Sequence, residues 1–199
     1  WQSKRVPRRK DRRFILGNLA VGHAVAHSFT QSFTLILPDI QSYMGFGDIR
    51  YGFILATRQL VTGASVIPGG FLVDMVQRQW GLILAGCMLV LGGSFVIAGG
   101  VPNYWALLVA AIFVSLPNTM WHLPSLAILS QQFPEKRGFA LATHGAGANF
   151  GGAMGPLVAG VLLGALLSRG DEWRYVMFIF AVPAFLMIFP ILLFLRDVG

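Results

Sequence analysis

Acidic residues and cysteine are scarce in this sequence, and their scarcity narrows the function classes. The 199 residues include eight Asp and Glu against fifteen Lys and Arg, and a single cysteine, Cys87. One cysteine cannot form an intramolecular disulfide, so it gives no information on the redox compartment. The sequence also contains no His-Glu-x-x-His, no phosphate-binding P-loop and no Gly-x-Ser-x-Gly motif. We therefore predict neither an enzyme nor a bound cofactor.

Hydrophobic residues make up 55% of the chain and fall in runs long enough to cross a bilayer. Lipid offers no partner for backbone polar groups, so such runs can span only as helices. The first run is too long for a signal peptide, and further apolar runs follow it. We predict an all-α polytopic membrane protein, with a basic tail at residues 1–13 and a bundle of six transmembrane helices at 14–199. The predicted spans are 14–37, 51–73, 80–99, 104–129, 138–167 and 174–195.

Basic residues predict the orientation of these spans. The tail carries seven Lys and Arg and one acid, Asp11. A nucleic-acid-binding arm has a similar composition, but a basic flank before a first span is the usual positive-inside signal, so no nucleic acid is predicted. With the amino terminus in the cytoplasm, eleven basic residues lie on the inner side and three, Arg50, Arg169 and Arg174, on the outer side. This asymmetry favours a protein of the cell (inner or plasma) membrane with that orientation.

Polar residues recur at helical spacing in four of the six spans. Residues three or four apart share a helix face, and such a stripe is costly to expose to lipid. The third and sixth spans carry few polar groups, so we predict that these two face lipid and the other four surround a polar interior. The polar positions are His23, His27, Thr30 and Thr34 in the first span; Arg58, Thr62 and Ser65 in the second; Ser115, Asn118, His122 and Ser125 in the fourth; and Thr143, His144 and Asn149 in the fifth.

Arg58 is the strongest single candidate for a functional residue. A charged side chain within a span costs about 2.5–3.5 kcal/mol on insertion scales, so it needs a partner, water or a substrate. The alternative is that Arg58 lies near the outer end of its helix and snorkels to the interface, with Asp39 or Asp48 as its partner. Either position is compatible with the sequence.

The four histidines are candidates for a substrate or proton pathway. Histidine titrates near physiological pH, although an isolated interior histidine is more often structural. His23 and His27 have the i, i+4 spacing of helical metal ligands, but no Cys, Asp or Glu cluster joins them, so no metal site is predicted. Because the interior carries Arg58 and histidines but no carboxylate, we predict an anionic or zwitterionic small solute rather than a lipophilic cation.

The segment between the second and third spans carries a recognisable motif. Gly70, Leu72, Asp74 and Arg78 resemble the signature loop between the second and third helices of the major facilitator superfamily of transporters. The resemblance implies a conformational latch of Gly70, Asp74 and Arg78, in which the Asp pairs with helix ends and a neighbouring Arg. The alternative is a solvated loop that only satisfies topology. The division into four polar and two apolar spans is also similar to that family's amino-terminal six-helix half.

The fifth span is rich in glycine. Gly147, Gly151 and Gly155 recur every four residues and are followed by Pro156 and Gly160, a pattern typical of closely packed, bent helices. The run 151–160 resembles the Gly-Pro motif of antiporters in the same superfamily, and simple packing is the alternative. The stretches 121–124, 133–138 and 144–145 are similar to the fosmidomycin-resistance-like exporter branch.

These resemblances imply a secondary active transporter that works by alternating access, with proton-coupled export as one form of it. The solute site is then expected near the membrane midplane, between two six-helix bundles. The chain starts at Trp1 and stops at Gly199 directly after a span. We therefore expect a second bundle as partner, either a missing carboxyl-terminal half or a second copy. The alternative function is a membrane scaffold or sensor without transport.

Overall fold

The structure is a computed structural model of the chain. It describes residues 9–76, 79–166, 170–196 and 198, and every regular element in them is helical. A short 3₁₀ turn, Pro134–Lys136, precedes the sixth helix. The α-helices are α1 (Arg9–Met44), α2 (Asp48–Ala64), α3 (Val66–Met75), α4 (Trp80–Gly100), α5 (Tyr104–Gln132), α6 (Arg137–Ala165) and α7 (Glu172–Leu195).

The second predicted span, 51–73, is made of two helices rather than one. Only Ser65 separates α2 from α3, and the bonds from Ser65 N–H to Val61 O and from Gly69 N–H to Ser65 O keep the helical path. Pro68 explains the interruption, because it has no N–H to donate to the carbonyl of Ala64 four residues earlier. The two helices therefore follow one another as one rod with a local break.

The first helix is longer than its predicted span of 14–37. It passes through Pro38 and ends at Met44. Gly45 terminates it in the left-handed conformation, with φ of 67°. In that conformation its N–H donates to Gln41 O at 2.9 Å, which caps the last turn.

Four helical segments of the described chain are long and apolar enough to cross a membrane. They are Trp80–Gly100, Tyr104–Gln132, Pro134–Ala165 and Glu172–Leu195. The remaining two of the six rods are α1 and the α2–α3 pair. α1 has the length, but its polar stripe lowers its mean hydropathy, while α2 and α3 are each shorter than a full span.

α1 lies at the centre of the bundle and contacts α4, α5, α6 and α7. Its apolar face meets α4 and α7 through aromatic rings. The Phe29 and Phe95 centroids lie 4.4 Å apart, and Phe180 lies 6.0 Å from Phe29. These contacts hold one face of α1 in the core, so its polar stripe faces α2, α5 and α6.

α4, the third predicted span, has one buried face and one exposed apolar face. More than half of its membrane-spanning window is buried within the bundle, against less than a fifth for the window of α6. The reason is that α4 packs between α5 and α7 and presents only one edge, including Leu89 and Ile97, to the outside. The exposed face is apolar, as a lipid-facing helix requires, and the lipid exposure of the third span stays a prediction.

Glycines set the close approach of α1 and α6. A Cβ at Gly147, Gly151 or Gly155 would collide with the backbone of Ala20, Ala24 or Ser28, respectively. Pro156 is half-buried and Gly160 is exposed, so these two lie away from the tightest part of the contact. The two helix backbones therefore touch over two turns, which positions the polar residues on them.

Candidate functional site

Four histidines from three helices form a cluster beside the α1–α6 contact. His23 and His27 come from α1, His122 from α5 and His144 from α6. The rings of His23 and His144 are stacked with centroids 3.9 Å apart. His122 and His27 lie edge-on to His23, with centroids at 4.6 and 4.7 Å. The structure thus brings together all the histidines that the sequence analysis singled out.

Hydrogen bonds fix the two buried rings of this cluster. His23 and His144 are only 3% and 2% exposed. His23 Nδ1 lies 2.8 Å from the carbonyl oxygen of His144, and His144 Nδ1 lies 3.1 Å from that of Leu19. A carbonyl can only accept, so both Nδ1 atoms carry the proton and both neutral rings present an Nε2 lone pair. The Nε2 atoms of His23, His27 and His144 are buried and have no hydrogen-bond partner in the part of the chain described.

Local sequence explains why these rings meet. Gly147 and Gly151 let α6 approach α1, so that His144 reaches the Leu19 carbonyl. Gly22 gives room for the fully buried ring of Trp121, the neighbour of His122 on α5. His27 and His122 are half-buried, so the cluster has an accessible side as well as a buried one.

Arg58 forms a second cluster with α1 and α5. It is 7% exposed, and each of its hydrogen bonds goes to a neutral oxygen. Nε donates to Ser115 Oγ at 3.3 Å, Nη1 to Thr34 Oγ1 at 3.0 Å and Nη2 to Thr30 O at 3.3 Å. The guanidinium carbon also lies 4.7 Å from the centre of the Phe33 ring. Arg58 therefore points into the bundle.

Arg58 does not extend to the outer end of its helix, so the snorkelling alternative is wrong. Asp48, one of its two suggested partners, instead accepts a hydrogen bond from Gln41 Nε2 at 2.9 Å. Thr34 and Ser115 attract the guanidinium inward because each hydroxyl donates to its own helix and keeps a lone pair to accept from Arg58.

A ladder of hydroxyl bonds joins α2 to α5 next to Arg58. Thr62 Oγ1 donates to Arg58 O at 2.9 Å, and Thr119 Oγ1 donates to Thr62 O at 3.1 Å. Sequence analysis did not single out Thr119, although it lies four residues after Ser115 and so shares its helix face. Asn118 is half-buried, and its Oδ1 is buried with no partner in the described part of the chain.

The two clusters are neighbours along α1. Thr30, whose carbonyl accepts a hydrogen bond from Arg58, follows His27 by three residues, a rise of about 4.5 Å.

Two other polar positions predicted to line the interior belong to neither cluster. Asn149 is exposed on α6, and Thr143 donates to Phe139 O of its own helix at 2.9 Å. The candidate site therefore involves α1, α2, α5 and the first half of α6.

The predicted latch is only partly described. Gly70 is half-buried and Asp74 is exposed, both in α3, whereas Arg78 lies outside the described residues. The latch therefore stays a prediction. A contact that sequence analysis missed joins the same helix ends: the indole N–H of Trp80, the first residue of α4, donates to Val73 O at 3.0 Å.

Comparison with known proteins identifies relatives over most of the chain. The family model described as Major Facilitator Superfamily matches residues 19–199. The fosmidomycin resistance protein of Escherichia coli is 24% identical over 80% of this chain and 39% of that protein. A puromycin resistance protein of Streptomyces alboniger is 26% identical over 82% of this chain and 31% of that protein. The chain thus spans well under half the length of these curated relatives.

The fold is also similar to a solved structure. A bacterial homologue of the human lysosomal transporter Spinster, in an inward-facing and unoccupied conformation, superposes with a TM-score of 0.87 at 18% identity. The match covers 97% of this chain and 45% of that one. This match confirms the predicted all-helical fold class, and the family model confirms the family resemblance.

Proposed function

Since the chain belongs to the Major Facilitator Superfamily, a family of membrane transporters rather than enzymes, we propose that it forms half of a secondary active transporter for a small anionic or zwitterionic organic solute. The observation that carries this proposal is Arg58, a buried cation whose hydrogen bonds within the described part of the chain go to neutral oxygens. An anionic group on the solute would supply the missing counter-charge.

The energetics favour a functional role for this arginine. Its position within a span costs about 2.5–3.5 kcal/mol. Neutral hydroxyl and carbonyl oxygens offset part of that cost, but charge-assisted bonds to an anion are about twice as strong. A bundle selected only for stability would do better with an apolar side chain at this position.

Charge at the amino-terminal end of α1 supports the same solute class. A cavity of about 650 Å³ there is lined by Arg12, Arg13 and Lys136, with Glu135 as its acidic member. The excess of basic groups favours anions in this cavity. This cavity and the interior site would therefore both favour an anionic solute.

Exposed apolar faces support a second six-helix bundle as partner. Ile67 and Phe71 of α3 are 79% and 71% exposed, and Phe150 and Val161 of α6 are also exposed. α2, α3 and α6 are thus the helices left least covered within this bundle. A second bundle facing them would enclose the Arg58 and histidine clusters between the halves, where alternating access requires the site to be.

The solute class is tested with the protein at its full natural length, expressed in cells whose own exporters are deleted. Fosmidomycin, a phosphonate, and puromycin, an amine, are suitable probes because two relatives are named for resistance to them. We expect efflux of fosmidomycin and other organic anions to exceed that of puromycin and cationic dyes. A preference for the cations would reject the proposed solute class, and no efflux of any probe would favour the scaffold or sensor alternative.

Export driven by the proton gradient is the working form of this proposal, because both named relatives are resistance proteins. Inside-out vesicles acidified in the lumen are expected to accumulate the anion, and a protonophore is expected to abolish the accumulation. Uptake that persists with the protonophore would leave transport intact and reject proton coupling.

We also propose the cell membrane as the location, with the amino terminus in the cytoplasm. Pro102, exposed between α4 and α5, is then extracellular, and Glu135, exposed before α6, is cytoplasmic. In a cysteine-free background, a cysteine at position 102 is expected to react with a membrane-impermeant maleimide in intact cells. A cysteine at position 135 is expected to react only after the membrane is opened, and the reverse pattern would invert the orientation.

A further inference from the structure

We infer that His23, His122 and His144 form a binding site for a divalent transition-metal ion such as Zn²⁺. Each residue offers one ring nitrogen, and these three nitrogens lie within 4.8 Å of one another. They come from α1, α5 and α6, and glycines of α6 set its close contact with α1. This site is independent of the Arg58 cluster and of the proposed solute.

The hydrogen bonding of the two buried rings is that of metal ligands. A metal-bound histidine typically donates its other ring N–H to a backbone carbonyl or a carboxylate, which fixes the tautomer and the ring orientation. His23 and His144 do this through Nδ1, to the carbonyls of His144 and Leu19. Their Nε2 lone pairs are then free, buried and without a hydrogen-bond partner among the described residues. Because the two rings are stacked at 14° to each other, one of them must tilt out of the stack before an ion can meet both lone pairs.

The donor set selects the type of ion. The group consists of histidines alone, and neutral imidazole favours Zn²⁺, Cu²⁺ and Ni²⁺ over Mg²⁺ and Ca²⁺, which prefer oxygen. Tetrahedral zinc has Zn–N distances of 2.0–2.1 Å, so its ligand nitrogens are about 3.4 Å apart. The ligand nitrogens, now up to 4.8 Å apart, would therefore have to move closer, and the stacked rings of His23 and His144 would have to tilt relative to each other. Half-buried His122 is the ligand with most freedom to move closer.

His27 lies beside the site but outside the ligand set. Its ring centre is 4.7 Å from that of His23 and 5.8 Å from that of His122. The i, i+4 spacing had suggested His23 and His27 as the ligand pair, with no metal expected for lack of other ligands. The structure instead supplies the other ligands from α5 and α6, which leaves His27 as a matched internal control.

The first experiment uses the unmodified protein at its full natural length, purified in detergent through a tag without histidine and stripped with a chelator. Co²⁺ is the probe, because four-coordinate cobalt has a strong visible absorption that six-coordinate cobalt lacks. We expect one Co²⁺ per protein with the four-coordinate spectrum, displaced by Zn²⁺ but not by Mg²⁺. Absence of that spectrum would overturn the proposal.

The second experiment assigns the ligands. His23→Asn, His122→Asn and His144→Asn are each expected to weaken Zn²⁺ binding by at least about 10-fold, since loss of an outer-shell partner alone costs 10–100-fold. His27→Asn is expected to weaken it less than about threefold. Equal losses in all four variants, or loss in His27→Asn alone, would contradict the assignment.

A thermal readout covers the variants that fold poorly. Zn²⁺ is expected to raise the unfolding temperature of the unmodified protein and of His27→Asn, because an ion that binds only the folded state stabilises it. Zn²⁺ is expected to leave the unfolding temperature of His122→Asn unchanged. This variant is the best test, because position 122 is half-buried and tolerates substitution better than the two buried positions. A zinc-dependent rise that survives in His122→Asn would count against the site.

Discussion

Replacing Arg58 by methionine is expected to weaken the transport of anions strongly while leaving the protein at least as stable as before. Methionine removes the charge from the span, and with it a cost of about 2.5–3.5 kcal/mol. No donor is left unpaired, because Thr34 Oγ1 already donates to Thr30 O and Ser115 Oγ to Ala111 O. Flexible methionine also fills most of the space that the arginine stem occupies.

Transport weakens because the variant removes the buried cation of the Arg58 cluster. Hydrogen bonds to charged groups contribute about 1.5–3 kcal/mol, so removal of the guanidinium should raise the KM for an anionic solute about 10- to 100-fold. Arg58→Lys keeps the charge but loses the planar fork, and we expect an intermediate KM. The measurements are uptake kinetics in proteoliposomes and unfolding temperature in detergent.

Arg50 provides the matched control, since it lies on the same helix as Arg58 but is exposed. Arg50→Met is expected to change the KM by less than about threefold. A stability loss in Arg58→Met with an unchanged KM for the anion would show that the arginine serves the fold and would remove the main support for the proposed solute.

Helical spacing was sufficient to predict which residues share a face, but not which faces meet. The stripes through His23 and His27 and through Ser115 and His122 follow from residues three or four apart. The stacking of His23 on His144 depends on where α1 crosses α6, which glycine contacts with Ala20 and Ala24 determine. A glycine pattern predicts close packing without naming the partner helix.

The sequence did not decide whether the Arg58 side chain points into the bundle or snorkels outward, for a similar reason. Snorkelling and inward pointing differ in partners that lie on other helices, and Thr34 and Ser115 are separated from Arg58 by 24 and 57 residues. Which face of α4 is buried was also open, because hydropathy reports the absence of polar groups and not the identity of the neighbour. The break at Ser65, in contrast, could have been predicted from Pro68 alone.

The α1–α6 contact predicts the largest loss of stability. Gly151→Leu is expected to lower the free energy of unfolding by more than about 3 kcal/mol, because overpacking of even small groups costs about 1–3 kcal/mol and here the obstacle is the Ala24 backbone. Gly151→Ala is expected to lower the free energy of unfolding by about 1–2 kcal/mol, because the higher helix propensity of alanine, about 1 kcal/mol, offsets part of the cost of the collision.

Gly152→Ala is the control one residue away. The nearest atom to a Cβ at Gly152 is Gln31 Cγ at 3.9 Å, an ordinary contact, so this variant should be neutral or slightly more stable through its higher helix propensity. Unfolding temperature in detergent distinguishes the two positions.

Separation of α6 from α1 should also break the hydrogen bond from His144 to Leu19 O and move the four histidines apart. Gly151→Leu should therefore lose the cobalt spectrum, and Gly152→Ala should keep it. Equal behaviour of the two alanine variants would mean that α1 and α6 are not in backbone contact.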